Sequence, residues 1–204
     1  PNLDAITDGL GKRFEILQNT YKPYPCGVVI HPIIEGCIRL ASQHPLAASD
    51  IQRIKLRCNP LVIELTGKQK PATTLEAKLS VYHCAAAALR AGRMTEQQYS
   101  PSNIANAEVL ALRDKVVVTV DEKIREDETH VAIELNGGET LSCHVDHVIG
   151  SSAKPMSDRD IEQKFRGLTE PVLPKARVDR LIDTCASIMK IGDAGVLARL
   201  ASLE

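Results

Sequence analysis

The chain has no tryptophan and only two phenylalanines and four tyrosines among its 204 residues. So few rings leave little to stack on nucleobases, and a core must be built from Ala, Leu, Ile and Val. Charge of one sign is also missing: 25 Lys and Arg stand against 26 Asp and Glu, a formal net charge of −1. Nucleic acid and anionic membrane surfaces call for a basic surplus, so neither is expected as a partner. No stretch approaches the ~20 apolar residues of a membrane span, and no basic stretch leads into an apolar run as in a secretory signal. The six cysteines, Cys26, Cys37, Cys58, Cys84, Cys143 and Cys185, include no C-x-x-C pair. That spacing disfavours zinc ribbons, thioredoxin-type redox pairs and cluster-binding runs. With no secretory signal, reduced thiols and a cytoplasmic location are the expectation. What is present, 44% hydrophobic and 25% charged residues, suits a globular fold and not a disordered one.

Periodicity suggests an α+β fold. Arg13 to Leu17 reads as a short strand entering a loop with Pro23 and Pro25. From His31 on, Ile33, Ile34, Cys37, Ile38 and Ala41 recur at helical spacing, and Pro32 suits a first turn because its missing N–H costs nothing there. Ile54, Leu56 and Cys58 alternate with Arg53, Lys55 and Arg57, the pattern of a half-buried strand. One long helix is expected from Leu75 to Ala91, stopped by Gly92, with small residues Ala85 to Ala88 admitting a close neighbour. A short helix at Ala105–Leu112 leads into a strand at Val116–Val120. Val131–Leu135, Asn136-Gly137 and Glu139–Val145 make an antiparallel hairpin. Ser157 and Asp160 form a capping-box variant, and two further helices span about Lys175–Lys190 and Ala194–Leu203. The sheet is therefore mixed, with packed helices around it.

Three stretches carry groups capable of chemistry. In Lys22-Pro-Tyr-Pro-Cys-Gly27, followed by Val28-Val-Ile-His31, a stiffened loop runs into a helix start. The first N–H groups of a helix lack partners and favour an anion. A lysine, a histidine and a helix N-terminus can together hold a carboxylate and move a proton beside it. The plainer alternative, a solvated lysine and a histidine serving as N-cap, stays open. In Cys143-His144-Val145-Asp146-His147, alternation puts Cys143, Val145 and His147 on one face and His144 and Asp146 on the other. Four ligands do not converge there without help from elsewhere, so a polar strand end is expected and no metal site. In Ser80-Val-Tyr-His83-Cys84, Ser80 and His83 share a helix face while Tyr82 points elsewhere; core packing with a satisfied hydrogen bond is the expectation. No Gly-x-Ser-x-Gly elbow and no phosphate-cradling glycine loop appears.

Gly9-Leu-Gly-Lys-Arg-Phe-Glu-Ile16 and the run KPYPCGVVIHPIIEGCIRL from Lys22 to Leu40 closely resemble the MmgE/PrpD family. Its known members include 2-methylcitrate dehydratase, cis-aconitate decarboxylase and iminodisuccinate epimerase. Further matches follow in order: Glu76 to Tyr82, the strand and hairpin from Lys115 to Val145, Gly150-Ser151 with Pro155-Met156-Ser157, and Lys164-Phe165. The part resembled is the family's later portion, in which an α+β domain follows a large all-helical one. On this resemblance, residues 1–170 are the C-terminal α+β domain and 171–204 a helical tail that packs on the N-terminal helical domain. Pro1 would then be an internal start. The tail would leave Leu181, Ile182, Ile188 and Met189 as an exposed apolar patch.

The resemblance also implies a function: part of a cofactor-independent lyase of the 2-methylcitrate dehydratase kind, acting on a small di- or tricarboxylate. Its partners would be that substrate, the all-helical domain in the same or a separate chain, and a second copy in a dimer. Lys22 matches the family's cleft lysine, His31 a histidine at the next helix start, and Tyr82 a cleft tyrosine of the decarboxylase-like members. These three are the implied catalytic residues, with no cofactor and no metal. Lysine offers a compact positive charge to a carboxylate, and imidazole suits proton transfer near neutral pH. Two departures stand out. Gly27 occupies the place of a decarboxylase histidine, and Ile149-Gly150 stands where many members have Arg-Gly. The alternatives are an epimerase of an amino- or imino-dicarboxylate and a non-catalytic binding or assembly domain.

Overall fold

Alternation of side chains sets the sheet. The computed structural model describes residues 3–203. In it, β1 (Ile51–Cys58) buries Ile51, Ile54, Leu56 and Cys58 and turns Arg53, Lys55 and Arg57 outward. With β2 (Val116–Val120), β3 (Thr129–Leu135) and β4 (Thr140–Val145) it forms a mixed sheet ordered β2-β1-β3-β4. β1 and β2 are parallel, whereas β3 runs antiparallel to both β1 and β4. A parallel neighbour requires a long crossover. The crossover consists of helices, whereas α1 (His31–Gln43) precedes β1. They are α2 (Leu61–Thr66), α3 (Thr74–Lys78), α4 (Val81–Ala91), α5 (Pro101–Ile104) and α6 (Ala107–Arg113).

α1 lies on β3 and β4 and beside α4, which in turn packs against α6. The close fit has a residue-level cause. A Cβ on Gly36 of α1 would stand 2.7 Å from Val131 Cγ2, so only glycine lets the helix settle onto the hairpin at this depth. Ala85 to Ala88 are all buried in α4, the small side chains that a neighbouring helix needs for close approach. The fold is α+β, as expected.

Two local expectations are corrected. Arg13–Leu17 is not a strand: Glu15–Gln18 forms a 3₁₀ turn, and among the described residues this segment pairs with no strand of the sheet. An apolar run without a ladder partner has no reason to stay extended. The single helix expected from Leu75 to Ala91 is two, because Ser80 is extended (φ −125°, ψ 106°) and begins the second as its N-cap. Its Oγ accepts from the His83 N–H at 3.1 Å and donates to the Lys68 carbonyl at 2.6 Å. A bridge between Gly67 and Ser80 holds that break.

Contacts divide the chain between Pro155 and Met156. The second unit contains α7 (Asp158–Thr169), α8 (Lys175–Ala186) and α9 (Gly195–Ala201). The capping box is present at its start: Asp160 N–H reaches Ser157 Oγ at 3.2 Å, and Ser157 N–H reaches the Asp160 carboxylate at 2.9 Å. α8 ends at Ala186, short of the expected Lys190, and a 3₁₀ turn covers Ile188–Lys190. Leu173, Val178, Leu181 and Leu200 form a small core of their own, with Phe165, Ile182, Val196 and Leu197 against it. The expected apolar patch is thus half absorbed: Leu181 and Ile182 pack inward, while Ile188 and Met189 are exposed. No helix among the described residues is long and apolar enough to cross a membrane.

Candidate functional site

The loop before α1 is stiff because Pro23 and Pro25 fix two backbone angles. It is also tied to the body of the first unit. Tyr21 N–H donates to the Gly150 carbonyl at 3.3 Å and Gly27 N–H to the Lys78 carbonyl at 3.1 Å. Lys22 Nζ donates to the Cys26 carbonyl at 3.3 Å, which folds the side chain over its own loop. Val28–Ile30 then make a 3₁₀ turn that delivers His31 as the first residue of α1. His31 is not the N-cap: Ile30 occupies that position and no side chain caps it.

This loop and the start of α1 border a cavity of about 410 Å³ whose lining includes Lys22, Val29, His31, Asp127, Ile149 and Ser151. A volume of that order accommodates a small organic acid. The opposite wall is built by Val148 to Ala153, and Glu35 secures it. From α1, the buried Glu35 carboxylate accepts the Ile149 N–H at 2.7 Å and Lys154 Nζ at 2.6 Å, and pairs with Arg39 one helical turn on. Burial alone would raise the carboxyl's pKa. Lys154, the Ile149 N–H and Arg39 outweigh that and hold it below the ordinary value. Gly150 sits at φ +87°, and a Cβ there would lie 2.2 Å from the Tyr21 carbonyl oxygen. Glycine is therefore required for the two walls to meet.

His31 is the unusual member. It is 1% exposed, and its Nε2 is buried without a hydrogen-bond partner. An unsatisfied buried polar atom costs about 1–3 kcal/mol; His31 shares that state with the core residue His83 and differs from it in lining the cavity. The Tyr24 ring meets it edge-on at 5.5 Å. Burial, and then Glu35, pushes the Tyr24 phenol's pKa up, so it stays protonated. The buried Cys26 thiol donates to the Gly27 carbonyl at 3.6 Å, and the neighbouring Cys84 and His31 draw its pKa down in spite of its burial. On the acidic side of the cavity, Asp127 pairs with His147 Nδ1 at 2.5 Å. Lys22 and His31 can draw in a carboxylate and move a proton, and Asp127 limits how much negative charge the cavity accepts.

The structure thus brings Lys22 and His31 to one cavity. Tyr82 is not there; it lines a different hollow with Lys70, Arg113 and Asp114. His83 is a core residue, its Nε2 2.9 Å from the Gln98 carbonyl, and Ser80 serves the backbone of α4 rather than the imidazole ring. Sequence reasoning missed Glu35 and Asp127. Glu35 was within reach, since it stands one helical turn from both His31 and Arg39 on a helix already recognised. Asp127 lies in an irregular segment with no periodic signal. Among the described residues, the one grouping with metal-ligand chemistry, Glu128 with His130 and His144, lies outside this cavity.

Comparison with known proteins agrees with this picture at the level of family. The family model "MmgE/PrpD C-terminal domain" matches residues 24–188. A cis-aconitate decarboxylase-like protein, oryM, of Aspergillus oryzae is 24% identical over 213 aligned residues, covering 98% of this chain and 44% of that protein. The cis-aconitate decarboxylases of Mus musculus and Homo sapiens are 27% and 24% identical, each covering 88% of this chain and 38% and 39% of their own length. The chain spans less than half the length of the curated relatives it matches.

Proposed function

The chain belongs to the MmgE/PrpD family, and on that premise we propose that it forms part of a cofactor-independent lyase of the dehydratase type acting on a small di- or tricarboxylate. The observation that carries this reading is the shared cavity of Lys22 and His31, with the His31 Nε2 buried and unpartnered. Lys22 pairs with the substrate carboxylate. Its positive charge stabilises the electron density that builds on the adjacent carbon. His31 takes the proton from that carbon, the electron pair forms the double bond, and hydroxide departs from the neighbouring carbon, leaving as water once protonated. Tyr82, implied by the resemblance, has no part in this scheme because it lines another hollow.

The relatives named cis-aconitate decarboxylase favour loss of carbon dioxide as the second reading. Gly27 counts against it. It supplies no imidazole where the resemblance puts a decarboxylase histidine, and a Cβ there would lie 3.1 Å from Thr66 Cγ2, so a side chain at this position needs Thr66 to give by a few tenths of an ångström. An epimerase would use the same proton abstraction without a leaving group. The cavity is complete only against the helical domain that the resemblance implies, since a carbanion-like state needs a site closed to water.

The test combines this chain with a family helical domain, adds citrate-type hydroxy acids, cis-aconitate or imino-dicarboxylates, and identifies products. Water loss supports the proposal. Carbon dioxide release or inversion of configuration would replace it by one of the other two activities. Lys22→Met is expected to abolish turnover while leaving the thermal midpoint nearly unchanged, because Lys22 is exposed. Turnover by the 204-residue chain alone would overturn the requirement for a second domain.

A further inference from the structure

The sheet face turned away from α1 carries an arrangement that the cavity chemistry does not use. Val131 and Val145 face inward, so alternation puts His130 and His144 on the outer face. The two are direct cross-strand partners in the β3–β4 register. Their rings stack face to face, with centroids 4.2 Å apart and planes 4° from parallel. Glu128, at the entry to β3, reaches over the same edge: its Oε1 lies 2.9 Å from His144 Nε2 and 3.9 Å from His130 Nε2.

From this juxtaposition we propose a divalent transition-metal site of the zinc class, with His130 and His144 as nitrogen ligands and Glu128 as the carboxylate. Two donors each ~2.1 Å from a tetrahedral centre are separated by roughly 3.4 Å. The two carboxylate–imidazole distances bracket that value, and all three ligand atoms lie within 4.8 Å of one another. Because an imidazole lone pair lies in its ring plane, one of the two stacked rings must turn for both to aim at the ion. A carboxylate with two imidazoles suits zinc and its first-row neighbours better than calcium or magnesium, which prefer oxygen alone. Three protein ligands leave the fourth position to water. The ion would replace the hydrogen bond between His144 and Glu128, with the displaced imidazole proton moving to the outward ring nitrogen or to solvent.

Two arginines border the site, and each is already paired with carboxylates. Arg125 occupies the other oxygen of Glu128 at 3.2 Å, and is itself paired with Asp127 and Asp146. Arg57, the cross-strand neighbour of His130, is paired with Asp121 at 3.2 Å. Both arginines are thus largely neutralised beside the site. β4 is one of the two edge strands, so an ion bridging it to β3 would fasten an outer ladder of the sheet. It would also steady Glu126 and Asp127, the residues immediately before Glu128, which line the cavity.

Zinc titration of the full chain against a chromophoric chelator tests this, with a Cys185→Ser background removing the exposed thiol. One equivalent should bind, and His130→Ala or His144→Ala should weaken it at least tenfold; both positions are on the outer face, so folding is not at risk. Cobalt substitution adds an independent readout. Visible bands without a thiolate charge-transfer band support imidazole and carboxylate ligation. Undiminished binding in the His130→Ala/His144→Ala double variant, a thiolate band, or no stoichiometric binding by the parent chain would each overturn the site.

Discussion

The segment from Leu3 to Leu17 and the helix α1 are both rich in apolar residues, yet they end in opposite environments. Leu3, Ile6, Leu10, Phe14, Ile16 and Leu17 are all more than half exposed, whereas Ile33, Ile34 and Cys37 of α1 are fully buried. Composition does not separate them. What differs is the partner: α1 has a sheet face and a flanking helix of matching shape, and the first segment has neither among the described residues. Hydrophobic content becomes stability only when a second surface removes it from water.

That contrast can be broken or sharpened experimentally. The largest expected effect is in α1: Ile33→Ala should cost about 2–5 kcal/mol, the usual range for a large-to-small change in a packed core. Leu17→Ala should change stability by less than about 0.5 kcal/mol. Chemical denaturation of both variants checks the pair, and a comparable loss at Leu17 would show that the first segment is packed after all.

Next comes the anchor of the cavity wall. Glu35→Ala removes acceptors for Ile149, Lys154 and Arg39 and should cost about 1–3 kcal/mol, less than a fully buried pair because the two cations are partly solvated. Amide exchange should rise at Ile149 and Gly150 before it rises in β1. Ser157→Ala deletes the cap of α7 and should cost about 1 kcal/mol; with the chain dividing at Pro155–Met156, circular dichroism should locate the loss in the second unit.

The smallest effect is a pH slope. Burial, followed by Arg113 and opposed by the Gln98 carbonyl, depresses the pKa of His83 from 6.5. A depressed folded-state pKa means that the unfolded chain binds the extra proton first. The contribution is therefore complete above about pH 6.5 and declines as the pH falls below it. Thermal midpoints measured between about pH 7 and pH 5 should fall, and His83→Gln should flatten that slope.

Legibility in the sequence followed the same division. β1, the hairpin, α1 and the capping box at Ser157 could be read because each is specified by local periodicity or turn chemistry that tertiary packing then reinforces. Ser80 shows the limit: its neighbours are helix formers, and the break comes from a bridge to Gly67, distant in sequence. The site was half legible. Lys22 and His31 lie nine positions apart on a loop and the helix it feeds, so their convergence could be expected. Glu35's grip on Ile149 and Lys154 spans more than a hundred residues and depends on tertiary structure. The His130–His144 pair was closer to hand, since counting outward from the Asn136-Gly137-Gly138 turn aligns them. Tyr82 came from resemblance alone, and its hollow is not the cavity of Lys22 and His31.

The central claim is that Lys22 and His31 jointly receive a carboxylate. Its most direct measurement is a citrate titration of the isotopically labelled chain, followed by the nuclear magnetic resonance signals of the two side chains. The account predicts that both shift together and saturate, that Lys22→Met abolishes the His31 response, and that Tyr82→Phe leaves it intact. Unchanged His31 signals at saturating citrate, or a full response in the Lys22→Met chain, would contradict it.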